Sequence, residues 1–242
     1  MSDVSDVFVH QLKEAVYLAN MKLVESGLVV LTWGNASAVN RERGIVAIKP
    51  SGVAYDKLRP EDIVLVSLKT GEPLPNERLR PSSDTPTHIC LYQRFPSVGG
   101  IAHTHSRHAT SWAQACRAIP CYGTTHADSF YGPVPLCRPL TSEEIQEAYE
   151  WNTGVVIAEH FQSNALDPLH LPGVLLSYHA PFAWGATVAK AVENAVILEE
   201  VAGLALRTEA LNPDATTTPQ AILDKHFLRK HGKDAYYGQP KV

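Results

Sequence analysis

No apolar run in the 242-residue chain approaches the length of a membrane-crossing helix, and the first six residues carry Asp3 and Asp6 where a secretory leader would carry basic groups. The chain therefore reads as cytosolic. Positive charge is scarce too: 21 Lys and Arg stand against 25 Asp and Glu, a net charge of -4. That leaves no broad basic field for nucleic acid, and favours a small metabolite as ligand. Four cysteines, Cys90, Cys116, Cys121 and Cys137, contain no CxxC pair, which removes a redox motif and a cysteine zinc knuckle. They read as reduced thiols without a role. Walker and dinucleotide-binding fingerprints are missing. Repeats, linkers and low-complexity stretches are missing as well, and at 45% hydrophobic residues the length supports one large core, a single domain over residues 1–242.

What is present is a regular alternation of patterns. Phe8, Leu12, Val16, Ala19 and Leu23 recur at helical spacing, predicting a first helix over Ser5 to Ser26 with Ser5 or Asp6 as its cap and Gly27 beyond its end. Short strands follow over Leu28 to Thr32, Ser37 to Asn40 and Ile45 to Lys49, the last two joined by a turn at Arg41 to Gly44, and then over Ile63 to Ser67. Asp84-Thr85-Pro86 offers a capped helix start that should stop before Pro96. Gly100 to His105 reads as a strand, Ala109 to Arg117 as a helix, Val134 to Arg138 as a strand, and Thr141 opens a helix running past Trp151. Val174 to Tyr178 is a buried strand; Thr187 to Thr208 and about Pro219 to Lys230 are helices. Runs of strands with helices between and around them imply an α/β fold with a mixed, largely antiparallel sheet flanked by helices.

Three histidines carry the first chemical signal. His103 and His105, two apart at a strand end, project to the same face, and His179 closes a second strand. Neutral imidazoles suit a metal such as zinc, although 11 histidines make chance pairs common, and spacing alone says only that a metal is suggested. Pro81 to His88 places Ser82, Ser83 and Asp84 before a helix, where free N–H groups suit a phosphate; plain capping explains the same residues. Thr32 to Ser37 and Lys49 to Gly52 set glycine beside small polar residues after predicted strands, fitting either an anion site or ordinary turns. Asp128, in Thr124 to Asp128, is an isolated acid/base candidate. The basic run Lys225 to His231 and the aromatic Tyr236-Tyr237 read by themselves as a solvated helix and a frayed tail.

Together, Leu31 to Asn35, Ile48 to Val53, Pro81 to His88, His103 to Thr110, Gly123 to Asp128, Pro181 to Gly185 and Tyr236-Tyr237-Gly238-Gln239 resemble the class II sugar-phosphate aldolase and epimerase family in one order along almost the whole chain. Departures are confined to the extended N-terminus, the Gln162 to Leu171 loop and Phe227, where tyrosine is common. The resemblance implies a central sheet between helices in a three-layer fold. It further implies one Zn2+ held by Asp84, His103, His105 and His179, substrate contacts from Gly34, Asn35, Ser51, Gly52, Ser82 and Ser83, and acid/base roles for Asp128 and Tyr237. The implied assembly is a homotetramer with sites between subunits, the tail from about residue 232 reaching a neighbour. The implied reaction converts L-ribulose 5-phosphate to D-xylulose 5-phosphate by breaking and remaking the C3–C4 bond, a step also open to an aldolase that releases its aldehyde from a ketose 1-phosphate. A noncatalytic, adducin-like binding module is the reading from another class; intact metal ligands speak against it.

Overall fold

The structure, a computed structural model, describes residues 2–238, with side chains from residue 7 onward. Seven strands form one sheet: β1 (Asn35–Asn40), β2 (Ile45–Ile48), β3 (Val64–Ser67), β4 (Gly100–His103), β5 (Leu136–Cys137), β6 (Gly173–Leu176) and β7 (Pro181–Gly185). Their order is β3-β2-β1-β4-β7-β6-β5. Every pairing is antiparallel except β5 with β6. The expectation of a mixed, mostly antiparallel sheet among helices holds.

Side chains alternate across this sheet with the two-residue period of a strand, and the alternation sorts them by size. Val46, Ile101, Phe182 and Trp184 enter one core, whereas Ala36, Ala38, Ala47, Ala102 and Ala183 enter the other. The alanine face receives α1 (Ser2–Glu25), through Val16, Ala19 and Leu23. The bulky face receives α2 (Thr85–Arg94) and α3 (Arg107–Gln114), with Leu91, Tyr92 and Trp112 among their buried residues. After the single turn α4 (Thr124–Ala127), α5 (Ser142–Ser163) packs beside α2 on the same face. The long α6 (Val188–Leu211) serves both cores, with Ala191 and Ala195 in one and Leu198 and Ala202 in the other, and α7 (Gln220–His231) follows. Small residues let α6 come close: a Cβ on Gly100 would lie 2.3 Å from Val188 Cα. Burying a side chain such as Phe182 or Leu198 contributes on the order of 2 to 3 kcal/mol. None of the described helices is long and apolar enough to cross a membrane.

Several local expectations need correction. The first helix runs on through Ser5 and Asp6, so neither caps it; no Gly or Pro in residues 2–6 would stop it. Leu28 to Thr32 is not a strand: Trp33 N–H closes a turn on Val30 O, Leu31 adopts φ 54°, and Val30 and Leu31 stay exposed. β5 is only two residues long, and the strand at residue 100 stops at His103, leaving His105 in the connection to α3. Pro181 to Gly185 is a strand that the sequence reading did not assign. Thr141 and Thr187 cap the helices that begin there, each hydroxyl accepting an N–H from the first turn. Gln239 of the tail motif lies outside the described residues.

Candidate functional site

His103 owes its position to the centre of the sheet. It pairs with Phe182 across β4 and β7, its ring stacks on that phenyl at 4.1 Å between centroids, and its side chain is buried. Nδ1 lies 2.9 Å from Pro181 O. A carbonyl can only accept, so Nδ1 carries the proton and Nε2 offers a free lone pair. His179 sits in the tight turn from β6 to β7, where Tyr178 takes φ 63° and His179 N–H bonds Leu176 O. The β6–β7 pairing returns this turn beside the end of β4. The imidazoles of His103, His105 and His179 have centroids 4.9 to 5.1 Å apart, and one nitrogen from each lies within 4.8 Å of the others. His105 joins them from the loop, not from the face of a strand as the spacing argument supposed.

Asp84 stands at the N-cap position of α2 without capping it. Its Oδ2 instead accepts from Asn35 Nδ2 at 2.6 Å and from Ser82 Oγ at 3.4 Å, which ties the start of α2 to the start of β1. Three imidazoles and a carboxylate form a donor set suited to a borderline divalent cation such as zinc. They open into a cavity of about 650 Å³ that is also lined by Gly34, Asn35, Ser51, Gly52, Ser82 and Ser83. Gly34 must be glycine there, since it takes φ 89° and a Cβ would fall 2.8 Å from His103 O.

Burial sets the electrostatics. It lowers His105 to about 4 and His179 to about 3, with neighbouring imidazoles adding to the effect, so both present neutral rings at physiological pH. For Asp84 burial acts upward, but His103, His88, the Asn35 amide and His179 outweigh it and hold the carboxyl below its ordinary range. Burial also takes His88, which neighbours Asp84 and His103, to about 3, and His126 to about 4. In the unfolded chain each titrates near 6.5, so below that pH the unfolded state binds protons the folded state refuses. Stability is then complete above pH ~6.5 and declines as pH falls toward the two folded values. Melts of metal-free protein should show a lower Tm at pH ~5 than at pH ~7.5; an equal or higher Tm at the acid value would contradict this.

Comparison with known proteins now bears on the site. The sequence pattern of the class II aldolase and adducin N-terminal domain matches residues 14–206. The chain belongs to this family. Among class II aldolase family proteins, it is 53% identical over 229 residues to L-ribulose-5-phosphate 4-epimerase UlaF of Salmonella typhi and of Salmonella paratyphi A, covering 95% of this chain and 99% of each relative. An L-fuculose 1-phosphate aldolase superposes with a TM-score of 0.73 at 22% identity, over 89% of this chain and 94% of that one. YgbL of Klebsiella pneumoniae, a putative aldolase/epimerase/decarboxylase by its title, gives 0.68 at 23% identity over 90% and 98%. These two likenesses support the class II aldolase fold.

Two expected residues lie elsewhere. Neither Asp128 nor Tyr237 lines the cavity. Asp128 follows α4 and is gripped by α7: Arg229 donates to both its oxygens at 2.9 and 3.0 Å, His226 Nδ1 is 3.0 Å away, and Lys230 3.2 Å. Tyr237 lies over the same Arg229 and Lys230, its centroid 4.9 and 4.4 Å from their charges. The basic run that read as a solvated helix is thus the clamp that joins Asp128 to the tail. Conversely, Tyr149 and Glu150 line the cavity without having been singled out, and Trp33 and Lys49, named only within the two candidate anion loops and given no role, line it as well. Lys49 carried a signal, a cation ending an apolar strand. It is buried, donates to Val53 O at 2.8 Å, and burial lowers it to about 8. Tyr149 and Glu150 carried none, because they lie inside a helical pattern.

Proposed function

We propose that this class II aldolase family chain is a zinc-dependent L-ribulose-5-phosphate 4-epimerase, active in the cytoplasm as a homotetramer. The observation that carries the reading is the convergence of His103, His105, His179 and Asp84 at one end of a polar cavity whose other walls are phosphate-binding in character. The activity for which the 53% identical relatives are named supports the choice of substrate.

His103, His105, His179 and Asp84 would hold a divalent cation, which when bound would supply Lewis acidity toward the C2 carbonyl and the charge left when the C3–C4 bond breaks. This chain's residues do the rest. Lys49 and the hydroxyls of Ser51, Ser82 and Ser83 hold the phosphate and retain the two-carbon aldehyde while its carbonyl face turns. Epimerisation needs a proton removed from the C4 hydroxyl and one returned to the new alkoxide on the other face. Asp128 and Tyr237 fit these tasks, and both are absent from their own chain's cavity. A neighbouring subunit therefore brings them as one unit, held together by Arg229 and Lys230 of α7. At Asp128 burial acts upward, but His226, Lys230 and Arg229 outweigh it and keep the carboxyl below its usual range, so it is an anion at neutral pH. The phenol O–H of Tyr237 can donate to the new alkoxide.

Incubation of the zinc-loaded protein with L-ribulose 5-phosphate should yield D-xylulose 5-phosphate without build-up of glycolaldehyde phosphate. Aldehyde accumulating without D-xylulose 5-phosphate would instead identify an aldolase that releases its product. Absence of bound divalent metal, with no activity restored by added zinc, would favour the adducin-like binding module.

A further inference from the structure

The break inside α5 has no breaker in the sequence. Ala148 leaves helical geometry at φ -162° and ψ 72°, yet Gln146-Glu147-Ala148-Tyr149-Glu150 contains neither Gly nor Pro. Side chains secure the break. Asn152 Nδ2 donates across it to Glu144 O at 2.9 Å, Thr153 Oγ1 donates to Tyr149 O at 2.9 Å, and Thr87 Oγ1 of α2 donates to Glu150 O. Close packing holds it from outside, since Gly154 lies where a Cβ would come within 2.6 Å of Cys90 Cβ in α2. The residue delivered immediately after the break is Tyr149. Its ring lines the cavity and tilts over His179 at 6.2 Å between centroids, and its hydroxyl stands 3.4 Å from His179 Nδ1.

The buried His103 has an outer partner of its own, since its Nδ1 bonds the Pro181 carbonyl. Among the described residues, Tyr149 is the hydrogen-bond partner of the His179 ring. We infer that the break in α5 exists to make Tyr149 a positioning residue for His179. If His179 binds metal through Nε2, its one remaining ring proton is on Nδ1, and the phenol oxygen must accept it. That bond fixes both the tautomer and the plane of the ring. The inference rests on reading the three histidines as a metal centre, and is independent of the substrate.

Metal binding without substrate tests it. Tyr149→Phe keeps the ring and removes the acceptor, and should weaken zinc affinity about 10- to 100-fold in competition with a chromogenic chelator. The visible absorption of the cobalt-loaded variant should change in position or intensity relative to the parent protein. Asn152→Ala, which loosens the break but keeps the hydroxyl, should weaken zinc binding to a smaller degree. Tyr149→Phe with zinc affinity within about twofold of the parent and an unaltered cobalt spectrum would overturn the inference. Should that variant not fold, parent-like zinc affinity in Asn152→Ala would overturn it instead. A parent protein that retains neither metal overturns the metal centre and this inference together, whereas one that binds zinc tightly but does not epimerise the pentulose phosphate leaves the test of Tyr149 intact and sinks only the proposed substrate.

Discussion

Replacement of His105 by alanine should abolish metal-dependent turnover, lowering kcat/KM by at least about a thousandfold. The size follows from what the side chain does. One nitrogen from each of three imidazoles lies within 4.8 Å of the others, and Asp84 lines the same cavity; on the proposed function, loss of one imidazole both weakens metal retention and removes part of the field that polarises the substrate. His105 lies in the loop beyond β4 and belongs to neither of the two main cores, so the metal-free variant should melt close to the parent. Steady-state kinetics together with bound metal per chain would check this. Activity within about tenfold of the parent at full metal occupancy would mean that His105 is not a ligand.

The second large effect is a recovery. Asp128→Asn should be nearly inactive alone, as should His105→Ala, yet co-expressed as mixed oligomers the two should regain activity. On the proposed function, each complete site needs His105 from one chain and Asp128 from its neighbour. With equal, random mixing each is intact in half of the positions, so about one quarter of parental activity is expected. The ground for this is the separation in the folded chain: the histidines open on one cavity, while Asp128 is clamped to Arg229, Lys230 and His226 outside it. Asparagine retains an oxygen for Arg229, so the clamp survives the substitution. Mixed oligomers as inactive as either parent variant would place Asp128 and the metal in the same chain, or show that Asp128 takes no part.

Much of this site was legible residue by residue. The loops holding Gly34, Asn35, Ser51 and Gly52 were recognisable from composition after strands, and all four line the cavity. Asp84 was placed correctly as a residue but misread as a possible cap, because a carboxylate before a proline-containing first turn has the local signature of capping; its actual partner, Asn35, is 49 positions away. Leu28 to Thr32 failed for a related reason. Its apolar run matches a strand locally, but the chain turns there and leaves Val30 and Leu31 exposed beside the entrance to β1. His105 was expected on a strand face and reaches the same place from a loop.

By itself the sequence determined the helix starts at Thr141 and Thr187, and the histidine, glycine and small polar residues of the segments that come to line the cavity. These follow from short-range periodicity and from chemistry carried by individual side chains. Tertiary structure alone decided that His179 meets His103, since this requires antiparallel pairing of β4 with β7 across about 80 positions, with His103 opposite Phe182. It also decided that α5 breaks at Ala148 to bring Tyr149 to the cavity, and that Asp128 leaves its own chain's histidines for α7. Each of these outcomes depends on hydrogen bonds or ion pairs to partners far along the chain, whose free energies arise only once the sheet and helices have packed.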